Sequence, residues 1–356
     1  MEFVPKYPSR ILTSQAGMTR TEVENVHTFL PLSPPQLQKE FLRMELPIHN
    51  FSWNTILKSG KTYRIPFKFV VPEELPIQTC HHQRSNSQIQ QQHLQLPASL
   101  SHRTQKSGGT HDMSPEMAEI LYSINFAVRG NRKTDRAKKA QESTYPVQII
   151  PIRDEHPPIL VPRKNIYYKL QSEKTLSKGV MRHIVGKFTA CSAQPPAIQI
   201  QRLQPHNGEI TTILKINLRF VSLQQGELPP SLLSAQFQLR AMTFFGLDPW
   251  QDSPDLCDIS TWSPRQGFWS EHVSLTLNND LHVEWTSVKE DNRTIFTASV
   301  EAHVSLPSHR QYPPTFHSCL VSRVYALKAM LFYRAHGKSR GSSSIALSVP
   351  VEICHF

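Results

Sequence analysis

The second half of the chain is dominated by stretches in which apolar residues occupy every second position. Successive side chains of a strand point to opposite faces, so each stretch gathers its apolar residues on one face, which is typical of a half-buried strand. Because turn signals separate the stretches, they predict an all-β sandwich. The six stretches are 214–220, 235–241, 273–277, 296–304, 325–333 and 345–353.

The stretch GKTYRIPFKFVVPEELP at 60–76 alternates in the same way but contains three prolines. Aromatic and aliphatic residues at every second position from 63 to 71 share one face, which predicts a strand. Pro66 lies in its middle and cannot donate a hydrogen bond to a ladder, so we expect an edge position or a bulge there. Pro72 and Pro76 are expected to close the strand and shape the turn that follows.

The rest of the first half has a less regular pattern. Residues 1–24 are predicted to form a poorly ordered terminus, and residues 78–118 a long Gln-rich loop with one short strand near 94–100. The stretch SPPQLQKEFLRM at 33–44 predicts a short helix, because Ser33 is a capping residue and the prolines lie in the first turn. Further strands are predicted at 26–32, 119–130 and 145–152.

The length of the chain, 356 residues, suits two domains better than one. Residues 153–165, RDEHPPILVPRKN, are rich in proline and charge and predict a hinge. We therefore expect a first β-sandwich domain at 25–152 and a second at 166–356.

Positive charge is concentrated in one part of the chain. The formal net charge is +11, and residues 129–187 contain fourteen Lys and Arg against five Asp and Glu. This predicts an acidic partner, either anionic lipid headgroups or a phosphorylated tail, with a solvated surface as the alternative. Nucleic acid is not expected, because the basic segment 129–139 contains no aromatic residue for stacking. The predicted phosphate-binding or lipid-binding residues are Arg132, Lys133, Arg136, Lys138 and Lys139.

The five cysteines are scattered and form no CxxC pair, which predicts reduced thiols in a cytosolic protein. One local cluster, CHHQ at 80–83 followed by His93, combines a thiol with imidazoles. Zinc takes four ligands, and no second pair lies nearby in the sequence, so these histidines are interpreted as polar loop residues. No metal site and no cofactor is predicted.

The stretch GKSRG at 337–341 matches the G-x-S-x-G pattern of a hydrolase nucleophile elbow. That elbow needs a helix after Ser339, whereas the following SSSIALSVPVEI predicts another strand. No Asp follows Ser339, so the Ser-Asp-His chain order of a catalytic triad cannot be completed. A serine hydrolase that uses Ser339 is therefore the alternative, and the chain is predicted not to be an enzyme.

An ordered series of segments resembles the arrestin family, in particular the fungal arrestin-like (α-arrestin) proteins. GKTYRIPFKFVVPEELPIQTC, LPASL and MSPEMAEILYSINFAVRG resemble segments of the N-domain. YYKLQSEKTLSKGVMRHIVGKFTACSAQPPAI is similar to the domain-crossing segment and the first C-domain strands. Three further segments resemble later C-domain strands: LPPSLLSAQFQLRAMTFF, YPPTFHSCLVSRVYALKAMLFY and IALSVPVEI. The resemblance covers residues 26–356.

The resemblance implies two immunoglobulin-like β-sandwich domains in an arrestin-like arrangement and no enzymatic activity. Fungal members resemble adaptors in membrane-protein trafficking, which bind cargo tails and recruit a HECT-type ubiquitin ligase through Pro-Pro-x-Tyr motifs. This implies a cytoplasmic protein that lies peripherally at the plasma membrane or endosomes; the sequence has no apolar run that could span a bilayer and no signal-peptide core. The alternative is a structural subunit of a trafficking coat with the same fold.

The chain departs from the family pattern in two ways. No Pro-Pro pair is followed two residues on by tyrosine, and YPPTF at 312–316 ends in Phe316 instead, which predicts an indirect contact with the ligase. Few residues precede the HTFL segment at 27–30, where family members carry several strands. We therefore expect an incomplete first sandwich with exposed edges, from either a truncated gene model or a degenerate paralogue.

Overall fold

The structure is a computed structural model of the chain. It describes residues 2–3, 20–27, 39–47, 62–64, 67–101, 111–128, 141–162, 165–178, 183–201, 210–224, 226–290, 293–336 and 341–356. Most of the regular structure in these ranges is β-strand, arranged in large antiparallel sheets, which confirms the predicted all-β class. None of the helices described in them is long and apolar enough to cross a membrane.

The first half of the chain contributes one four-stranded antiparallel sheet. Its strands are β2 (Arg20–His27), β3 (Lys39–Pro47), β5 (Ile120–Val128) and β6 (Gln141–Val147), in the order β3-β2-β5-β6. A separate two-stranded ladder pairs β1 (Glu2–Phe3) with β4 (Tyr63–Arg64). Strand β5 confirms the strand predicted at 119–130, whereas the one predicted at 145–152 starts earlier and ends at Val147.

The second half forms two sheets that share one strand. The strands are β7 (Gln171–Lys178), β8 (His183–Cys191), β9 (Ile198–Ile200), β10 (Ile210–Ser222), β11 (Ser231–Gly246), β12 (Gln266–Leu277), β13 (Thr286–Glu290), β14 (Arg293–Leu306), β15 (Phe316–His317), β16 (Val321–Arg334), β17 (Ser343–Val351) and β18 (Ile353–His355). One sheet has the order β15-β16-β11-β12, and the other β14-β10-β8-β7. Strand β17 pairs with β16, β13 pairs with β14, and β9 pairs with β18.

Strand β12 connects these two layers. Residues 266–275 pair with β11, and residues 276–277 pair with β14, so the strand changes sheet near its end. Strands that switch sheets make the corners of a β-sandwich. The two sheets can therefore face each other and enclose one core between them.

The core of this sandwich lies where the predicted apolar faces meet. Along β10, the side chains of Leu214, Ile216 and Phe220 are fully buried while the residues between them are exposed. The rings of Phe188 and Tyr333, one from each layer, meet edge to face with their centroids 4.8 Å apart. The six alternating stretches are confirmed as strands, and 345–353 divides between β17 and β18.

A second hydrophobic cluster joins the two halves of the chain. It forms around the turn between β15 and β16, residues 316–323, which we call the β15–β16 corner. The first half contributes Phe41, Leu100, Ile120 and Tyr122 among others, and the second half contributes Phe245, Phe316, Leu320 and Val321. Strand β16 is consequently buried on both faces at its start.

One prediction for the first fifty residues is wrong where the structure describes them. Residues 39–44 lie in strand β3 rather than in a helix over 33–44, because the stretch pairs with β2 and buries Phe41, whose ring packs edge to face on Tyr122 at 5.7 Å. Strand β1 and the start of β2 lie within residues 1–24, the terminus predicted to be poorly ordered. Residues 4–19 lie outside the described residues, so the poorly ordered terminus stays a prediction. Residues 33–38, and residues 28–32 of the strand predicted at 26–32, lie outside the described residues.

The strand predicted through 60–76 is also wrong over the described residues 67–73, whereas Tyr63–Arg64 lie in β4. Residues 67–73 form no ladder, although the Phe67 and Phe69 rings still contact each other at 5.9 Å. Pro72 has no N–H to donate to a ladder, which is consistent with the loss of pairing there. Pro66 lies outside the described residues.

The predicted Gln-rich loop contains a helix, α1 (Ser87–Leu94). Asn86 caps it, since its Oδ1 accepts a hydrogen bond of 3.0 Å from the Ile89 N–H. Instead of a strand at 94–100, only isolated bridges occur, between Gln95 and Glu74 and between Leu100 and Ile120. The long-loop interpretation of 78–118 is therefore wrong for this part.

The segment 148–162, called below the connector, contains no strand and lies between the two β regions. The connector contacts the end of the chain through Glu352. The His156 N–H donates to Glu352 Oε2 at 2.9 Å, and His156 Nδ1 lies 3.2 Å from Glu352 Oε1. The hydrogen bond to Glu352 raises the pKa of His156 above its ordinary value, despite opposing burial. The proposed hinge at 153–165 overlaps this connector, and its division of the chain into two domains stays a prediction.

We expect the His156 side chain to stabilise the fold only when it is protonated. A pKa raised on folding adds stability that is complete below the unfolded value near 6.5 and disappears as the pH rises through the folded value. His156→Gln should therefore lower the free energy of unfolding by about 0.5–1 kcal/mol near pH 6 and by less near pH 9. Urea unfolding at both pH values measures this. The control is His282→Gln, whose imidazole and partner Glu284 are both largely exposed, and a pH-independent loss in His156→Gln would contradict the prediction.

Candidate metal centre

Helix α1 directs one histidine into the interior. Ile89 and His93 are four residues apart and so lie on the same face of the helix, which is the buried one. The His93 side chain is only 1% exposed. Its interpretation as a polar loop residue is therefore wrong, because it sits in the last turn of a capped helix against the hydrophobic cluster at the β15–β16 corner.

A short 3₁₀ turn, Ile77–Thr79, places two further side chains beside His93. The Cys80 N–H closes this turn on the Ile77 carbonyl at 3.1 Å, and the Cys80 side chain is buried. The Cys80 Sγ atom lies 3.3 Å from His82 Nε2 and 3.8 Å from His93 Nδ1. The two imidazole rings also contact each other, with their centroids 5.3 Å apart.

The backbone fixes which nitrogen of His82 faces the thiol. His82 Nδ1 lies 2.8 Å from the Gln83 carbonyl oxygen. A carbonyl oxygen can only accept a hydrogen bond, so Nδ1 carries the proton and the Nε2 of the neutral ring keeps its lone pair toward Cys80. A carbonyl that holds one ring nitrogen is the arrangement that orients histidine ligands in metal sites.

The fourth member, Cys319, comes from the β15–β16 corner. Its buried Sγ atom lies 4.0 Å from the Thr79 carbonyl oxygen, with 240 positions between the two residues in the chain. The ligand atoms of Cys80, His82, His93 and Cys319 all lie within 4.8 Å of one another. These four residues are called below the Cys2His2 cluster.

The surroundings of the Cys2His2 cluster are mostly apolar. A small cavity of about 30 Å³ adjoins it, lined by His93 and Cys319 together with Phe41, Leu75, Thr79, Pro97, Ser318 and Leu320. Burial, with smaller effects of the His82 and Arg84 charges, lowers the pKa of His93 to about 4. The His93 ring is therefore neutral near pH 7, which is the form that binds metals.

One cation lies beside the thiol of Cys80. Arg84 Nη1 donates to the Cys80 carbonyl at 2.8 Å and to the His82 carbonyl at 3.2 Å, and it lies 3.9 Å from Cys80 Sγ. The same three contacts hold the Cys80–His82 segment in the conformation that presents both side chains.

Two thiols and two imidazoles within this distance could hold a divalent cation. All four are metal-ligand types, and the set Cys2His2 is a common structural combination. Metal–sulfur and metal–nitrogen bonds of tetrahedral zinc place ligand atoms roughly 3.3–3.8 Å apart, which matches the measured Cys80–His82 and Cys80–His93 separations. The linear sequence contained only three of these residues close together, and no local signal marks Cys319.

A buried arginine, Arg323, lies on β16 four residues after Cys319. The fully buried Arg323 donates from Nη1 to the Met113 carbonyl at 3.0 Å and from Nη2 to the Asp112 carbonyl, both on the segment 111–114 of the first half. It also donates to Thr243 Oγ1 and, from Nε, to Tyr325 Oη. The segment itself is shaped by the Asp112 carboxylate, which accepts from the Ser114 N–H at 2.9 Å, and by Met113 in the left-handed region.

The structure does not describe the other predicted site residues. The basic side chains Arg132, Lys133, Arg136, Lys138 and Lys139 lie outside the described residues, as does Ser339. Strand β17 starts at Ser343, four residues after Ser339, where a nucleophile elbow would have a helix.

No protein-family model matches the chain, and no curated protein matches it either. The resemblance to arrestins therefore stays a prediction.

We expect Arg323 to hold the two halves of the chain together. Arg323→Met would leave the buried carbonyls of Asp112 and Met113 without this donor, so the free energy of unfolding should fall by about 2–4 kcal/mol. Urea denaturation measures the loss. Arg334→Met, at the exposed end of the same strand, is the control and should be near neutral; equal stabilities of the two variants would contradict this role.

Proposed function

We propose that the chain is a non-enzymatic, arrestin-like adaptor that links membrane-protein cargo to ubiquitin-ligase-dependent endocytosis and sorting. Such an adaptor acts in the cytoplasm at the plasma membrane or endosomes. The observation that carries the proposal is the connector, which presents apolar side chains to solvent on a proline-rich segment. The all-β architecture and the strand that follows Ser339 support a binding role rather than hydrolysis.

The exposed proline-rich part of the connector is HPPILVP at 156–162, in which only His156 and Val161 are half-buried. Leu160 is 94% exposed and Ile159 is 47% exposed, directly after the exposed pair Pro157-Pro158. Prolines fix φ and have no N–H, so a segment of this kind stays extended and loses little conformational entropy on binding. Proline-rich segments with apolar side chains fit grooves lined by aromatic residues.

The ends of this exposed part are anchored to the second half. The His156 N–H is held by Glu352, and the Ile159 N–H donates to Gln194 Oε1 at 3.1 Å. The Asn165 N–H closes the other end on the Pro162 carbonyl at 2.9 Å. The apolar side chains are therefore presented from a fixed backbone, which supports recognition by a partner protein.

We expect Ile159 and Leu160 to bind directly the partner protein through which the ligase is captured. In affinity purification of the full chain from its cells, a HECT-type ligase and membrane proteins should co-purify. The double substitution Ile159→Asp with Leu160→Asp should reduce the captured ligase at least ~10-fold, since each buried aliphatic side chain contributes about 1.5–3 kcal/mol. Ile152→Asp is the matched control, because Ile152 is exposed in the same connector but precedes the Pro-Pro pair. Unchanged capture by the double variant, or co-purification of stable coat subunits instead, would refute the adaptor.

The basic segment supplies a second test of the adaptor. Reversal of Arg132, Lys133, Arg136, Lys138 and Lys139 to Glu should strongly reduce binding to anionic liposomes or to phosphorylated cargo peptides, and the wild-type binding should weaken with added salt. Sedimentation with liposomes and fluorescence anisotropy with peptides measure these interactions. Lys215→Glu with Lys289→Glu, on exposed positions of β10 and β13, controls for net charge. If the five-residue reversal binds both ligands as the wild type does, these residues have no such role.

A further inference from the structure

We propose that Cys80, His82, His93 and Cys319 bind one structural zinc ion that joins the two halves of the chain. Three of the ligands lie within residues 80–93, and the fourth lies at the β15–β16 corner. This site is independent of the adaptor role, because no part of it belongs to the connector or to the basic segment.

The ligand set identifies zinc as the metal. Two thiolates and two imidazoles in a tetrahedral arrangement are typical of structural Zn²⁺, whereas Ca²⁺ and Mg²⁺ require oxygen ligands. Two thiolates balance the charge of the dication, so the buried centre is neutral. The four protein ligands complete the tetrahedron and leave no position for water, which is the difference between a structural and a catalytic zinc site.

The local geometry favours a metal over a disulfide between Cys80 and Cys319. The two residues are not joined in the structure. A disulfide needs no histidine, yet the Gln83 carbonyl holds His82 so that its Nε2 lone pair faces the sulfur at 3.3 Å. Helix α1 brings His93 to 3.8 Å of the same sulfur. Two oriented imidazoles on one thiol are explained by a shared cation.

The position of the ion would explain how a short polar segment is held in the fold. The segment 80–86 contains the polar stretch HHQRSN, in which only His82 and Arg84 are half-buried, and Cys80 is its one contribution to the hydrophobic cluster. It contacts the second half through the Ser85 N–H, which donates to the Gln251 carbonyl at 3.1 Å, and through the Ser85 hydroxyl and Asp252. A zinc ion would fix this segment against the corner by coordination.

Metal content of the purified full-length chain tests the proposal. The protein is purified without a histidine tag, with Zn²⁺ present during expression, and zinc is measured by inductively coupled plasma mass spectrometry. We expect one equivalent of zinc per chain in the wild type. Cys319→Ser and His93→Gln each remove one of the four ligands and should each lose most of the bound zinc. Cys257→Ser and His282→Gln, which change an exposed thiol and an exposed imidazole outside the cluster, should retain the full equivalent.

Replacement of zinc by Co²⁺ tests the geometry. Bound Co²⁺ should show the intense visible absorption of a tetrahedral site together with thiolate-to-cobalt charge transfer. Cys319→Ser should lose part of the charge-transfer intensity, whereas Cys257→Ser should keep all of it. Octahedral Co²⁺ absorption, or a charge-transfer band unaffected by Cys319→Ser, would overturn the assignment.

A measurement on the wild type avoids variants that fail to fold. In native protein, Cys80 and Cys319 should resist alkylation until a chelator removes the metal, and mass spectrometry of the peptides identifies the modified residues. The same chelator should lower the midpoint of thermal unfolding, because a ligand that binds only the folded state stabilises it. Folded wild-type protein that takes up no zinc, or a Cys80–Cys319 disulfide found in its peptides, would refute the site.

Discussion

The packing of the first half of the chain against the β15–β16 corner is the interaction on which the rest of the structure depends. Phe41, Tyr122 and Leu100 share a hydrophobic cluster with Phe316 and Val321, so neither half completes this core alone. Each leucine-sized side chain buried there contributes about 1.5–3 kcal/mol. The polar contacts of the corner, from Arg323 to Asp112 and Met113, are directional and so set which surfaces meet.

The sandwich of the second half could be predicted because its pattern is local. Leu214, Ile216 and Phe220 alternate with exposed residues, and a period of two is a property of a single strand that requires no knowledge of its neighbours. The sheet order, by contrast, depends on contacts between distant strands. Nothing in the residues of β12 shows that it leaves β11 and reaches β14 at Thr276.

The errors in the first half have tertiary causes. Phe41, Leu42 and Met44 fit a helical face as well as a strand, and pairing with β2 together with the Phe41–Tyr122 contact decided in favour of the strand. The glutamines of α1 favour a loop interpretation of this segment. Asn86, as a capping residue, and the four-residue spacing of Ile89 and His93 nevertheless indicate a helix. For the Cys2His2 cluster, three residues could be noticed in the sequence, but Cys319 reaches them only through the fold.

The long sequence separation across the β15–β16 corner has a consequence for synthesis of the protein. Thr79 and Cys319 are 240 positions apart, and Met113 and Arg323 are 210 apart. Ribosomes add about 5–20 residues per second, so the first half waits roughly 10–50 s for its partner strands to emerge. During that interval Phe41, Leu100 and Tyr122 lack the side chains that bury them in the finished protein. We therefore expect the nascent chain to expose this apolar surface until the corner has left the ribosome.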